Sequence, residues 1–263
     1  MNKQRHTFAV CAYKESPYLG ECIESLLNQE MKSKIIVITS TPNDWISSIC
    51  EKYDIPLYIN EGEKGIVQDW NFAYHTSDTE YVTIAHQDDV YLPNYTLGIM
   101  KGLQKAEKPL IAFTDYGELR DGQAVHVNRN LKIKRLMLTP LKSFMLQKSR
   151  FVRRRILSLG CPICCPAVTF AKENLPETVF QKGYRSDEDW QAWEMISKYR
   201  GSYVYVDEIS MYHRIHEESE TSIIIGDNAR SQEDYEMFCK FWPKPIAKIL
   251  TKLYATSEKS NEL

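Results

Sequence analysis

Two acidic groups far apart in the chain carry the residue types best suited to chemistry. Asp88 and Asp89 stand side by side after Tyr81 to Ala85, an apolar run that reads as a buried strand, and Pro93 follows four residues on. Two carboxylates at one strand end repel each other and cost stability unless a cation or a donor joins them. A divalent metal held there can neutralise a diphosphate and stabilise it as a leaving group. A solvated turn also accommodates an Asp-Asp pair, but the strand before it and the proline after it weigh against that reading. The second group is Asp187, Glu188 and Asp189, at the head of a helical stretch that contains Trp190 and Trp193. Acids beside indoles can have the raised pKa of a general base. Acids at a helix start also cap it, and capping alone accounts for them. Tyr13 ends the first strand, where an aromatic face either stacks on a nucleobase or simply packs. Cys161, Cys164 and Cys165 are close enough to raise zinc, yet no second Cys or His pair follows at knuckle spacing, so they read as buried thiols.

These residues need a scaffold, and the first half of the chain supplies alternating strand and helix signals. Thr7 to Ala12, Lys34 to Thr39, Pro56 to Asn60 and Tyr81 to Ala85 read as strands. Between them lie helical patterns after Ser16-Pro17, over Trp45 to Tyr53 and over Ile66 to His75. Strands alternating with helices predict a parallel sheet covered on both faces, with ligands beyond the carboxyl ends of its strands. That rule selects Tyr13, Thr39 to Asp44, Asn60 to Gly65 and His86 to Asp89. The second half is less regular. Leu110 to Thr114, Pro166 to Ala171 and Ser202 to Asp207 read as strands, and Asp121-Gly122 as a turn. Helices are expected over Leu141 to Leu157, with Leu141, Phe144, Met145, Val152 and Ile156 on its apolar face, and over Glu188 to Tyr199. Two more are expected over Asp227 to Phe241 and Pro245 to Tyr254, and then a polar, frayed tail from Ala255 to Leu263.

Bulk properties exclude several classes. At 263 residues, 43% hydrophobic and 26% charged, the chain is globular, large enough for one domain and a small appendage. Its net charge of −2 gives no global attraction to nucleic acid. No apolar run approaches the roughly 20 residues of a membrane-spanning helix, and the polar start shows no secretory signal. Seven cysteines without a disulfide-like framework fit a reducing cytosol.

Tyr81 to Pro93 (YVTIAHQDDVYLP) resembles the DxD region of family 2 glycosyltransferases, commonly L-D-x-D-D-x-x-x-P. His86, Gln87, Asp88 and Asp89 fall on the first Asp, the x, the second Asp and the trailing acid. Ala9 to Gln29 is similar to the family's first strand and helix, written VIPTYNExxYLxECIESLLNQ. Asn60 to Gly65 with Asp69-Trp70-Asn71 resembles its N-x-G loop and W-N helix. Arg185 to Trp193 resembles E-D-x-x-x-W, and Tyr212 to His216 resembles Y-R-x-H. The five stretches occur in the family's order and run from Phe8 to His216.

The resemblance implies an α/β, Rossmann-like GT-A fold: a mostly parallel sheet flanked by helices over 1–220, then a short helical C-terminal extension over 221–263. It implies an inverting enzyme that moves a sugar from a nucleotide-diphosphate sugar to the hydroxyl of a glycan or lipid-linked glycan, in cell-surface polysaccharide or glycoconjugate synthesis. Asp189 takes the place of the catalytic base, with Glu188 and Asp187 as alternatives. Asp88 takes that of the principal ligand to Mn or Mg, helped by Asp89 and His216. Donor contacts fall on Tyr13, Glu15, Ser40, Asn60, Gly62, Asn71, Gln87, Asp88 and Arg214, the last able to pair with phosphate or with an acid.

Two positions depart from the pattern. Ser40 stands where the family carries an acid that hydrogen-bonds uracil, so weaker discrimination among nucleotide bases is expected. His86 removes the first carboxylate. Both keep open a second reading, a catalytically impaired sugar-nucleotide-binding protein. A sugar-nucleotidyltransferase shares the α/β order, but no glycine-rich phosphate loop follows Ala12. The basic stretch Lys148 to Arg155 is either a solvated helix face or a contact with anionic lipid or a phosphate-bearing acceptor. In the latter case a cytoplasmic enzyme works peripherally on the inner face of the membrane. Nothing else offers the basic aromatic surface that nucleic acid requires.

Overall fold

The structure is a computed structural model that describes residues 4–216 and 228–258. The expected boundary at residue 221, the expected helix start at Asp227 and the tail 259–263 lie outside the described residues.

Strands β1 (His6–Cys11), β2 (Lys34–Thr39), β3 (Leu57–Ile59) and β4 (Tyr81–His86) pair in parallel in the order β3-β2-β1-β4. Parallel neighbours need crossovers. Helices α1 (Leu19–Leu27), α2 (Asp44–Lys52) and α3 (Ile66–Thr76) provide them. Both faces of β1 are covered, which is why its apolar run is continuous. Phe8 and Val10 pack with Leu19, Ile23 and Leu26 on one side, and Ala9 packs with Val67 and Tyr74 on the other. The chain leaves β1 on one side for β2 and β3 and returns on the other for β4. The strand ends at that reversal open the crevice in which such sheets hold ligands.

The second half extends the sheet. Strand β8 (Val168–Ala171) lies antiparallel between β4 and β6 (Pro109–Arg120), and β6 runs parallel to β9 (Ser202–Ile215). Strand β5 (Val90–Tyr91) is antiparallel to β9. Strand β7 (Gln123–Val125) forms a hairpin with β6 through Asp121 and Gly122, both at positive φ, as their turn requires. Of nine strands only β5, β7 and β8 run against the rest, so the sheet is mostly parallel, as expected.

Several elements differ from the sequence reading. The strands read at Leu110 and Ser202 continue for six and eight residues beyond their expected ends. Two helices were not foreseen: α4 (Tyr95–Lys105) and α5 (Arg129–Leu138). Gly98 and Gly102 dilute the helical pattern of α4, and a side chain at Gly102 would lie 2.8 Å from Val204 of β9. The helix expected over Leu141 to Leu157 is broken into a 3-10 turn (Thr139–Lys142), α6 (Phe144–Gln147) and α7 (Arg150–Leu157). The break turns Phe144 and Met145 outward, contrary to the expected apolar face. Helix α8 (Glu188–Ile196) is followed in the described chain by α9 (Asn228–Cys239) and α10 (Lys244–Glu258). Ala255 to Glu258 continue α10 where a frayed tail was expected. Trp190 meets Phe238 and Tyr254, which ties both last helices to α8.

Candidate active site

Strand β4 ends at His86, and the turn after it delivers Asp88 and Asp89 to the crevice. The pairing of β5 with β9 at Tyr91 and Met211 then carries His213, Arg214 and His216 to the same place. Asp89 is fully buried, and its Oδ1 accepts from Arg214 N at 2.9 Å and from His213 Nδ1 at 3.0 Å. Burial pulls the His213 pKa down, but the Asp89 carboxylate outweighs it and the net direction is up. His216 Nε2 donates to Asp88 Oδ2 at 2.9 Å. Burial raises the Asp88 pKa, and this histidine with His86 and His213 reverses the shift to a net lowering.

The donor set fits a cation. One atom each from His86, Asp88 and Asp89 fall within 4.8 Å of one another. His86 Nε2 and Asp89 Oδ2 are buried and have no hydrogen-bond partner among the described residues. Such a group costs about 1–3 kcal/mol each when left unsatisfied, and an ion would satisfy both. Burial lowers the His86 pKa against the pull of Asp89 and Asp88, favouring the neutral imidazole that a metal requires. The sequence reading had counted His86 as a loss and His216 as a ligand. His86 lies in the group whose atoms could hold a cation, and His216 reaches Asp88 through its hydrogen bond. Arg214 is equally committed. Its Nε donates to Asp88 O at 2.7 Å, its Nη2 donates to Glu21 at 2.6 Å, and Tyr18 lies 4.3 Å beneath it. Of the two roles expected for Arg214, the structure shows the acid pair.

The side of the crevice formed by the loops after β1, β2 and β3 is tightly braced. Gln87 clasps the backbone of Tyr13, donating to its O at 3.0 Å and accepting from its N at 2.9 Å. Lys14 N donates to Thr41 Oγ1, joining the loops after β1 and β2, and Lys14 Nζ sits 4.9 Å over the half-exposed Tyr13 ring. Glu15 is exposed on the same loop. Ser40 Oγ donates to Asp69 Oδ2 at 2.6 Å, and Asn60 Nδ2 donates to Asp69 Oδ1 at 2.7 Å. Asn60 Oδ1 in turn accepts from Gly62 N. A carboxylate therefore does stand beside Ser40, supplied by α3. In the stretch Asp69-Trp70-Asn71 it is Asp69 that meets Ser40 and Asn60, while the Asn71 amide donates to Phe180 O at 2.8 Å and accepts from the N–H groups of Val179 and Phe180.

Helix α8 begins with the second acidic group. Asp189 Oδ1 accepts from Trp190 N at 2.6 Å, while Oδ2 faces the Cys161 thiol at 3.7 Å. Burial raises the Asp189 pKa, and its charge acts weakly on His86, after the larger effects of burial, Asp89, Asp88 and His213. Asp187 is buried at the start of α8, and its pKa lies well above the usual carboxylate range, through burial first and then Asp234 and Asp189. Glu188 is also buried. Of the three acids, Asp189 is the one not fully buried. The Cys161, Cys164 and Cys165 thiols are half-buried, and burial pushes their pKa values well up, which keeps them protonated and weakly nucleophilic.

A mostly parallel sheet with a crevice at the β1–β4 reversal, flanked by helices, is the GT-A architecture of sugar transferases. The sequence profile described as Glycosyl transferase family 2 matches residues 7–170, more than half of the chain. The chain belongs to that family and is a glycosyltransferase. Among proteins of curated function, none matches it in sequence. Solved structures do match in fold. TarS 1-349 from S. aureus, in complex with UDP-GlcNAc, is 14% identical with a TM-score of 0.63, over 94% of this chain and 70% of that one. The mannosyltransferase PcManGT from Pyrobaculum calidifontis, in complex with GDP-Man and Mn2+, is 16% identical with a TM-score of 0.61, over 99% and 74%. Glucosyl-3-phosphoglycerate synthase from Mycobacterium tuberculosis, with Mn2+, UDP and phosphoglyceric acid, is 13% identical with a TM-score of 0.54, over 81% and 72%.

Proposed function

We propose that this glycosyltransferase works by inversion, moving a sugar from a nucleotide-diphosphate donor to the hydroxyl of a glycan or lipid-linked glycan. The observation that carries the reading is the buried, unsatisfied pair His86 Nε2 and Asp89 Oδ2 beside Asp88. A divalent ion held by His86, Asp88 and Asp89 supplies charge neutralisation to the departing diphosphate. A histidine among carboxylates suits Mn better than Mg. Tyr13 offers its ring to the base, and Ser40 with Asp69 offers a hydroxyl–carboxylate pair to the base or ribose.

Asp189 Oδ2 takes the proton of the acceptor hydroxyl. The oxygen left behind forms its bond to the anomeric carbon from the face opposite the nucleotide. The bond from that carbon to the diphosphate oxygen breaks, and the diphosphate leaves with the electron pair. The raised pKa makes Asp189 the stronger base once it is ionised.

The proposed catalytic unit spans 1–220, and the extension from 221 shares its core through Met237, Phe238 and Ala247. The proposed setting is cell-surface polysaccharide or glycoconjugate synthesis by a cytoplasmic enzyme that touches the inner membrane face through 148–155. No helix among the described residues is long and apolar enough to cross a membrane.

Asp189→Asn tests the chemistry. Turnover to acceptor is expected to fall by roughly 10²–10⁴ with donor affinity kept. Asparagine caps a helix about as well as aspartate, so near-normal turnover would leave Asp189 with capping alone. A parent protein that binds donor but neither transfers nor hydrolyses it would mark an impaired binding protein instead.

A further inference from the structure

We infer that the surface formed by α5, α6, α7 and α10 docks on an anionic lipid bilayer, which enlarges the membrane contact proposed for 148–155 and depends on that reading for its biological setting. Charge is segregated in this chain to a degree its overall balance conceals. Residues 122–172 hold 11 of the 33 lysines and arginines and none of the 35 acids, which leaves the remainder of the chain at −13. Part of this positive charge is used internally. Arg153 is buried and donates to the carbonyls of Ser197, Tyr199 and Gly201, Arg135 pairs with Asp115, and Arg154 pairs with Glu194. Arg129, Lys132, Lys148, Arg150 and Arg155 remain exposed.

Apolar side chains are exposed in the same place. Of 18 large hydrophobic residues exposed among the described residues, eight lie within 122–172, under a fifth of the chain, so they are concentrated rather than scattered. Leu136, Met145 and Phe151 are the extreme cases, at 73%, 76% and 71% exposure. Helix α10 adds three more, Ile246, Ile249 and Leu253, alongside exposed Lys244, Lys248 and Lys252, while its Ala247 and Thr251 are buried. The turn before α10 packs on α7, and Tyr254 of α10 accepts from Cys161 N at 3.4 Å just beyond the end of α7. Trp242 Nε1 donates to Ser158 O at 2.7 Å, and Arg155 lies 4.8 Å over Trp242 and 5.5 Å over Phe151. A hollow of about 210 Å³ opens here, lined by Arg150, Phe151, Arg154, Arg155, Lys240 and Phe241.

Cations around outward apolar side chains match a bilayer interface, where headgroup phosphates take the charge and the acyl boundary takes the apolar tips. Three other occupants fit less well. A solvated face would carry acids among its cations, and 122–172 has none. A second copy of the chain would set these cations against their equals. A nucleic acid would leave Leu136, Met145 and Ile249 in water.

The test is flotation of the full chain, without donor or metal, on vesicles of phosphatidylcholine alone and of phosphatidylcholine with phosphatidylglycerol. Partition onto the anionic vesicles is expected, with little onto the neutral ones and a steep fall at high salt. Each surface cation is worth about fivefold in partition, so Arg150→Glu with Arg155→Glu is expected to weaken it at least ~20-fold. Phe151→Ser with Ile249→Ser is expected to weaken it at constant charge. All four side chains are exposed, so the fold is expected to survive, and unchanged UDP binding in the same preparations confirms it. Four results would overturn the inference: no partition onto anionic vesicles, equal partition onto both kinds, variants that bind like the parent, or a dimer that Phe151→Ser dissolves. Since neither donor nor metal is present, failure of the glycosyltransfer proposal leaves this readout unaffected.

Discussion

An imidazole can replace a carboxylate at a cation site without emptying it, provided the imidazole stays neutral. His86 meets that condition through burial, and Asp88 and Asp89 supply the negative charge. Removing its ring should cost metal-dependent donor binding about tenfold or more, with Mn more effective than Mg in the parent. Titrating UDP into parent and His86→Ala protein with each metal checks both points, and equal support by Mn and Mg would argue against an imidazole ligand. The titration of Asp189 gives a second prediction. Its raised pKa makes the transfer rate climb with pH above the ordinary carboxylate range and then level off. A pH–rate profile should show that limb in the parent and lose it in Asp189→Asn. At this scale the sequence exposed the acids but not their partners. Asp88, Asp89 and Asp189 stand out because carboxylates beside a strand end or an indole are chemically conspicuous. The parts played by His86, Asp69 and Asn71 depend on which strand or loop lies opposite, and spacing carries no trace of that.

Helix α8 owes its position to groups at both of its ends. At its carboxyl end Arg153 satisfies the carbonyls of Ser197, Tyr199 and Gly201. Arg153→Met would leave them unpaired inside the protein, at a cost of about 3 kcal/mol or more, which urea unfolding can measure. At its amino end buried Asp187 faces Asp189, Asp234 and Glu233, with Arg230 as partial relief. Its folded pKa lies well above the unfolded value of about 3.9, so between the two the folded state holds a proton that the unfolded state releases. Stability contributed by this group is therefore present below the unfolded pKa and falls as pH rises towards the folded one. Asparagine mimics the protonated acid. Asp187→Asn should lose less stability than the parent between pH 5 and pH 8, and parallel melting curves would refute the assignment. Elements were legible where one period dominated. Strands β1, β2 and β4 are continuous apolar runs because both of their faces are buried, whereas β3, at the sheet edge, leaves Tyr58 and Ile59 exposed. Helix α4 hid behind the glycines that let it approach β9, and the outer half of β9 hid behind polar Tyr212, His213 and Arg214, the last two of which it delivers to the crevice. The stretch 141–157 kept an apolar pattern although its helix is broken, because Leu141 and Ile156 pack inward from separate pieces.

For the molecule as a whole, the sheet order creates the crevice at whose rim the proposed metal and nucleotide residues lie. The β1–β4 reversal sets Tyr13 near His86 to Asp89, the long β9 closes the site with His213 and His216, and α8 carries Asp189 in the far half of the chain. This architecture was foreseeable because alternating strands and helices admit few topologies. The joining of β9 to β5 was not, because β5 is only two residues long. The most direct test is the thermal stability of parent and Asp88→Asn protein with saturating UDP, with and without manganese. The expected result is a rise of about 5 °C or more for the parent only when UDP and manganese are both present, and none for Asp88→Asn, whose melting point without ligands stays at the parent's. A manganese-dependent rise of equal size in both proteins would contradict a nucleotide diphosphate held through a metal at this strand end.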